Sequence, residues 1–138
     1  MYLYLNTTSP EKIVLALLNK QSEILQFKNI YAKYKHSEKL LANIYKIFKD
    51  GGYKTSQLAG VLVVSGPGSF TALRIGVATV NALAWSLNIP ILSISNKNNL
   101  DDKKLLDKNF KKILNKTKFT QQVLPKYGKQ PNITFSKK

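Results

Sequence analysis

Residues 58–95 read LAGVLVVSGPGSFTALRIGVATVNALAWSLNIPILSIS, and this stretch decides the fold. Leu58, Val61, Leu62, Val63 and Val64 form a short apolar run rich in β-branched residues, the pattern of a strand buried on both faces. It stops at Ser65-Gly66-Pro67-Gly68-Ser69, where two glycines and a proline impose a tight turn. Beyond the turn, Leu73, Val77, Val80, Ala84 and Leu87 repeat at helical spacing, and Ile75, Ala78, Ala82 and Trp85 make a second stripe. At about 100° per residue the two stripes lie on nearly opposite sides of one helix. A helix covering a sheet needs one apolar side, so the second is expected to meet another helix of this chain or a partner. Asn88 stands near the helix end, Pro90 blocks continuation, and Ile91, Leu92 and Ile94 open a further strand.

Working outward, Met1 to Leu5 reads as a strand ending in the polar turn Asn6-Thr7-Thr8-Ser9-Pro10. Lys12 to Leu18 and Glu23 to Phe27 are two more apolar runs, joined by Asn19-Lys20-Gln21. Connections this short fit antiparallel hairpins, so the first three strands are expected to form a meander. From His36 and Ser37 a helical pattern begins, with Leu40, Ile44 and Ile47 on one stripe and Leu41, Tyr45 and Phe48 on the neighbouring one. Gly51 and Gly52 supply its left-handed end. Asp101 and Asp102 open a third helix at the end where acids favour the dipole, and Leu106, Phe110 and Ile113 share one face of it.

The 138 residues correspond to one domain, and 43% hydrophobic content suffices for a core. No stretch reaches the roughly 20 apolar residues of a membrane span and no signal pattern opens the chain, so a soluble cytoplasmic protein without membrane contact is expected. Cysteine is absent, which removes disulfides and thiolate chemistry. The formal net charge of +15 suits a polyanion partner. Arg74 is the one arginine against twenty-one lysines. Lysine lacks the bidentate fork, so weak backbone-level contact with RNA is the expectation, and a lysine-biased composition explains the same charge without any site.

The run Ser65-Gly66-Pro67-Gly68-Ser69-Phe70-Thr71-Ala72-Leu73-Arg74-Ile75-Gly76 resembles the signature turn and helix of the TsaB family, accessory proteins of tRNA threonylcarbamoyladenosine synthesis. One departure is Ala72, where the family usually has glycine. The resemblance implies an α/β fold, a single ribonuclease-H-like lobe of the actin-like (ASKHA) superfamily. Its mixed sheet would run β-β-β-α-β-α-β-α with helices on its faces. The likeness covers Met1 to about Lys116, with residues 117–138 as a basic C-terminal tail. In that tail Leu124-Pro125-Lys126-Tyr127-Gly128-Lys129-Gln130-Pro131-Asn132-Ile133 resembles the segment that closes TsaB chains. Full-length members place a second lobe before that segment, so a shortened form is expected.

Candidate chemistry is sparse. One histidine, no cysteine and seven acids do not make a metal site, and the histidine pair with which TsaD transferases hold a metal has no equivalent. His36 reads as a helix-start or surface residue. Ser65 and Ser69 flank the turn without a base nearby in sequence. A glycine turn before a helix can bind phosphate. Pro67, however, removes a donor, no Lys-Ser/Thr pair follows, and Asn6 stands where the superfamily has a nucleotide-site aspartate. Neither catalytic residues nor a cofactor is expected. The turn reads better as structure, with Gly66 and Gly68 allowing a close reversal, Phe70 plugging the core, and Ser69 or Thr71 capping amides. Arg74 would tie the turn to a carbonyl or carboxylate, or reach a partner.

TsaB proteins, by what the resemblance implies, are non-catalytic subunits that bind the TsaD transferase through the first two helices, with a TsaE-like ATPase as a further partner. Leu41, Tyr45 and Phe48 on the first helix and Ala78, Ala82 and Trp85 on the second are the candidate interface. Gly76, Ala78 and Ala82 would let another helix come close. Without that partner the same faces would pair two copies. Two other functions fit the residues less fully, a basic RNA-binding module and a degenerate actin-like nucleotide-binding protein.

Overall fold

The computed structural model describes residues 1–127. Five strands, β1 (Tyr2–Asn6), β2 (Lys12–Leu18), β3 (Ile24–Tyr31), β4 (Gly60–Gly66) and β5 (Ile91–Ser95), form one sheet in the order β3-β2-β1-β4-β5. The helices are α1 (His36–Gly51), α2 (Phe70–Leu87) and α3 (Asp102–Asn109), the last continued by a 3₁₀ turn over Phe110–Lys112. The expected meander is present: β1 pairs antiparallel with β2, Tyr2 opposite Leu18, and β2 antiparallel with β3. β4 then joins β1 in parallel, Tyr2 beside Gly60, and β5 joins β4 in parallel. Parallel neighbours need a crossover, and α1 and α2 supply the two crossovers.

Alternation along the strands feeds two separate cores. Leu3, Leu5, Ile13, Leu15, Leu17, Val61 and Val63 face α1 and α2, and meet Leu40, Ile44, Val77, Val80 and Ala84. Tyr2, Tyr4, Val14, Ala16, Leu62, Val64 and Ile94 face the other way and meet Leu105, Leu106, Phe110 and Ile113. This explains why β4 is buried along its whole length and reads as a continuous apolar run. α2 has 18 residues and a mean hydropathy of 1.3, so it is long and apolar enough to cross a membrane by length and composition, contrary to the expectation that no segment is. Its inner stripe is spent on the sheet, as in any core helix.

The helix ends follow local chemistry. Gly52 takes a left-handed φ of 75° after α1, and Asn88 does the same at 51° after α2. Asp101 caps α3 by accepting a hydrogen bond from the Lys104 amide at 2.9 Å. Expectation fails at the start of α2: Ser69 occupies the cap position but its side chain makes no capping bond. His36 does begin α1, yet it is buried rather than on the surface, with Nε2 3.2 Å from the Lys12 carbonyl oxygen.

Gly76 also departs from expectation. It was expected to open the helix to a partner, but it is buried against the end of β1, where an added Cβ would lie 2.8 Å from Thr7 Cγ2 and 2.9 Å from Thr7 Cβ. The Thr7 hydroxyl, pressed toward this glycine, has no hydrogen-bond partner among the described residues. A Gly76→Ala change gains about 1 kcal/mol of helix propensity and incurs about 1–3 kcal/mol of overpacking. The variant is therefore expected to be net destabilised in urea unfolding, with Thr7→Ala recovering part of the loss in the double variant; additive losses would refute the contact.

Candidate partner surface

The signature turn is built around close backbone approaches. Gly66 has φ of 142°, and a Cβ there would collide with the Lys126 carbonyl group. Lys126 in turn donates its amide to the Ser65 carbonyl at 2.7 Å. Gly68 lies against the Thr8 backbone, and the Ser69 amide donates to the Thr8 carbonyl at 2.9 Å. With Pro67 lacking an N–H, two amides that an anion would require are unavailable. Ser65 bonds through its hydroxyl to that of Ser93, across β4 and β5. Thr71 is exposed at the first turn of α2.

Phe70 does not plug the core as expected. It is 37% exposed because its ring turns outward to stack on Tyr127, with centroids 4.4 Å apart. Arg74 reaches neither a carbonyl nor a carboxylate among the described residues; its guanidinium lies over the Phe70 ring, 5.4 Å from the centroid. Tyr127 belongs to the stretch that resembles the family's closing segment, but its contact with Phe70 is not legible in the sequence because the two lie nearly sixty residues apart.

The described part of the expected tail, residues 117–127, lies along α2. Asn81 holds it with two bonds, Nδ2 donating to the Val123 carbonyl at 2.7 Å and Oδ1 accepting from the Val123 amide at 2.8 Å. Val123 is buried in the core beneath α1 and α2, and Phe119 packs against that core. The rest of the resemblance to the family's closing segment, residues 128–133, lies outside the described residues. Between α2 and the docked segment runs an open, mostly apolar groove of about 650 Å³, walled by Ala78, Ala82 and Trp85 on one side and by Phe119, Leu124 and Tyr127 on the other.

Of the candidate interface residues, Leu41, Tyr45 and Trp85 are 53%, 61% and 71% exposed, and Ala78 and Ala82 are also exposed. Phe48 is not: it is buried in the core with Leu40, Ile44 and Ile47. Its position explains the error, because it projects about 80° from Leu40, closer to the inner stripe than Leu41 or Tyr45. It also sits where the chain reverses and the Tyr53 amide bonds back to its carbonyl.

Asn6 does not face open space. Its Nδ2 donates to Asp102 Oδ1 at 2.8 Å, while its Oδ1 accepts from the amide and the hydroxyl of Thr8. Tyr4 also donates to Asp102 Oδ1, at 2.6 Å. Asp102 thus brings a carboxylate to the end of β1, where the sequence showed only an asparagine, and it ties α3 to the sheet. Among the described residues no three His, Cys, Asp or Glu side chains converge.

The arrangement is one lobe of the ribonuclease-H-like, actin-like class. YeaZ from Pseudomonas aeruginosa superposes with a TM-score of 0.61 at 29% identity, over 68% of this chain and 42% of that one. A family model described as TsaD, tRNA N6-adenosine threonylcarbamoyltransferase, matches residues 29–101. The tRNA threonylcarbamoyladenosine biosynthesis protein TsaB of Bacillus subtilis (strain 168) is 35% identical over 88 residues, 64% of this chain and 38% of the relative. That of Haemophilus influenzae is 32% identical over 89 residues, 64% of this chain and 37% of the relative. A tRNA N6-adenosine threonylcarbamoyltransferase of Geotalea daltonii is 34% identical over 64 residues, 46% of this chain and 19% of the relative. The chain belongs to this family, on its TsaB branch. It spans under two fifths of the length of these TsaB relatives.

Two measurements check the site. Asn81→Ala removes both bonds to Val123, so faster trypsin cleavage at Lys116 and Lys118 is expected, with about 1–2 kcal/mol lost in stability; an unchanged cleavage rate would show that the segment is held otherwise. Burial, the bond to Asp102 and the Asp102 charge raise the Tyr4 phenol well above its usual range. The folded state then keeps a proton that the unfolded state releases above about pH 10, so this contribution is complete below pH 10 and lost above it. Wild type should lose stability relative to Tyr4→Phe by up to about 1.4 kcal/mol per pH unit in that window. Parallel urea midpoints from pH 9 to 11 would sink the assignment.

Proposed function

We propose that this chain is a non-catalytic accessory subunit, in the cytoplasm, of the apparatus that makes threonylcarbamoyladenosine at position 37 of tRNAs. It binds and activates a TsaD-like transferase through α1 and α2, with a TsaE-like ATPase as a further partner of the assembly. The observation that carries the reading is the outward side of α2: Ala78 and Ala82 leave the backbone low, and Trp85, 71% exposed, stands beside them as a large anchor. Leu41 and Tyr45 add apolar surface on α1. Small residues flanking an aromatic anchor suit a second helix laid along the first. Membership of a family whose relatives carry the name of this pathway supports a partner from the same pathway.

Among the described residues, no cluster of His, Cys, Asp or Glu is gathered at this surface. Arg74 is the one charged side chain on α2 and it rests on Phe70. In this reading the transferase supplies the reaction, and the present chain supplies a rigid face that stabilises the transferase's working arrangement. ATP and the activated threonylcarbamoyl intermediate are handled by the other subunits.

The test is co-purification with a tagged TsaD-like transferase from the same cells. Ala82→Asp with Trp85→Asp should abolish recovery and lower tRNA modification, because two carboxylates would be buried without partners. Thermal melting within a few degrees of wild type shows that the variant is folded. Undiminished recovery and modification would refute the surface.

A further inference from the structure

We propose that the opposite side of the molecule, the α3 side of the sheet, is an RNA-backbone docking face, with its lysines on phosphates and two exposed rings of β3 available for base stacking. This rests on the proposed role in tRNA modification for the identity of the RNA. Charge is unevenly spread along the chain: residues 55–96 hold one charged side chain, Arg74, residues 1–54 hold nine lysines against four acids, and residues 97–118 gather eight lysines against three aspartates into a stretch less than half as long. The fold converts that unevenness into geography. Leu105, Leu106, Asn109, Phe110 and Ile113 turn inward and are buried, which leaves Lys103, Lys104, Asp107, Lys108, Lys111 and Lys112 on the outside, all exposed.

The three aspartates offset only part of this charge, leaving a surplus of five lysines over residues 97–118. Asp101 bonds to the Lys104 amide and Asp102 to Tyr4 and Asn6, while Asp107 pairs with Lys103 at 3.2 Å. Beside the helix lies a polar hollow of about 250 Å³ in which Ser93 and Asn96 are engaged with Ser65 and Leu100, while Ser95, Asn98, Lys108 and Lys112 line it with donors suited to phosphate and ribose oxygens. Lysines without arginines fit backbone contact better than base reading.

Cross-strand register places aromatic rings on the same side. Phe27 pairs with Ala16 and Tyr31 with Lys12, and Ala16 belongs to the α3 core, so Phe27 and Tyr31 project toward that side of the sheet. They are 52% and 67% exposed, on the edge strand next to β2. Exposed rings on the sheet face that also carries a basic helix are the elements of a platform for unpaired bases. A lipid surface fits less well, because the apolar stripe of α3, which would have to enter the bilayer, is consumed by the sheet.

The experiment titrates the full-length protein against a fluorescent tRNA transcript containing adenosine 37, at 50 and 200 mM KCl. Lys104→Glu/Lys108→Glu/Lys112→Glu should lose at least about 10-fold in affinity at low salt, with the log–log salt slope falling by about 2 to 3. Lys20→Glu/Lys46→Glu/Lys49→Glu changes the net charge equally but elsewhere, and should change affinity less than about 3-fold. Phe27→Ala/Tyr31→Ala should weaken binding at least about 5-fold and leave the slope unchanged. Equal loss from both lysine triples, unchanged binding by the α3 triple or the ring variant, or equally tight binding to vesicles of phosphatidylserine and phosphatidylcholine overturns the proposal. The α3 triple should still co-purify with the transferase, so loss of RNA binding is separable from loss of that partner.

Discussion

A helix that is apolar on two sides cannot be satisfied by one sheet, and the layout follows from that constraint. α2 spends Leu73, Val77, Val80 and Ala84 on the sheet and leaves Ala78, Ala82 and Trp85 outside. The chain covers part of this surplus itself by laying residues 117–127 alongside and pinning them with Asn81. What stays uncovered is a groove with an indole at its edge. Each fully buried apolar side chain is worth about 1.5–3 kcal/mol, so a few further contacts there would bring substantial association energy.

The same helix fixes the position of the signature turn. α2 can lie close to β1 only because Gly76 has no side chain where Thr7 stands, and the turn ahead of it can fold back only because Gly66 and Gly68 leave room for Lys126 and Thr8. The resulting junction joins the ends of β1 and β4, the start of α2 and the docked segment through backbone contacts. Substitutions there act on the pose of the whole helix, and through it on the surface presented to a partner.

Much of this was legible in the residues. Strand and helix periods gave the element order because β4 is buried on both faces and α2 carries two clear stripes, and glycine, asparagine and proline marked the ends. The meander followed from connection lengths alone. What escaped were contacts between distant positions: Tyr127 against Phe70, Val123 in the grasp of Asn81, Asp102 bonded to Tyr4 and Asn6. Periodicity also misplaced residues at the margin of a stripe. Stripe spacing puts Phe48 outward with Leu41 and Tyr45, although its angle lies nearer the core, and suggests an opening at Gly76, whose smallness serves the chain's own packing. Sequence spacing reports direction around a helix, not what waits in that direction.

The docked segment beside α2 makes one wall of the groove a separate piece of chain. One wall is an integral helix; the other is a strap fastened by the Asn81 clamp, the weak Phe119 to Asn88 bond, the Lys126 amide and a single buried valine. A segment held by few bonds belongs to the class of elements that open at lower free energy than whole domains. A visitor touching both walls would bridge helix and strap, and the added contacts would make the molecule stiffer in company than alone.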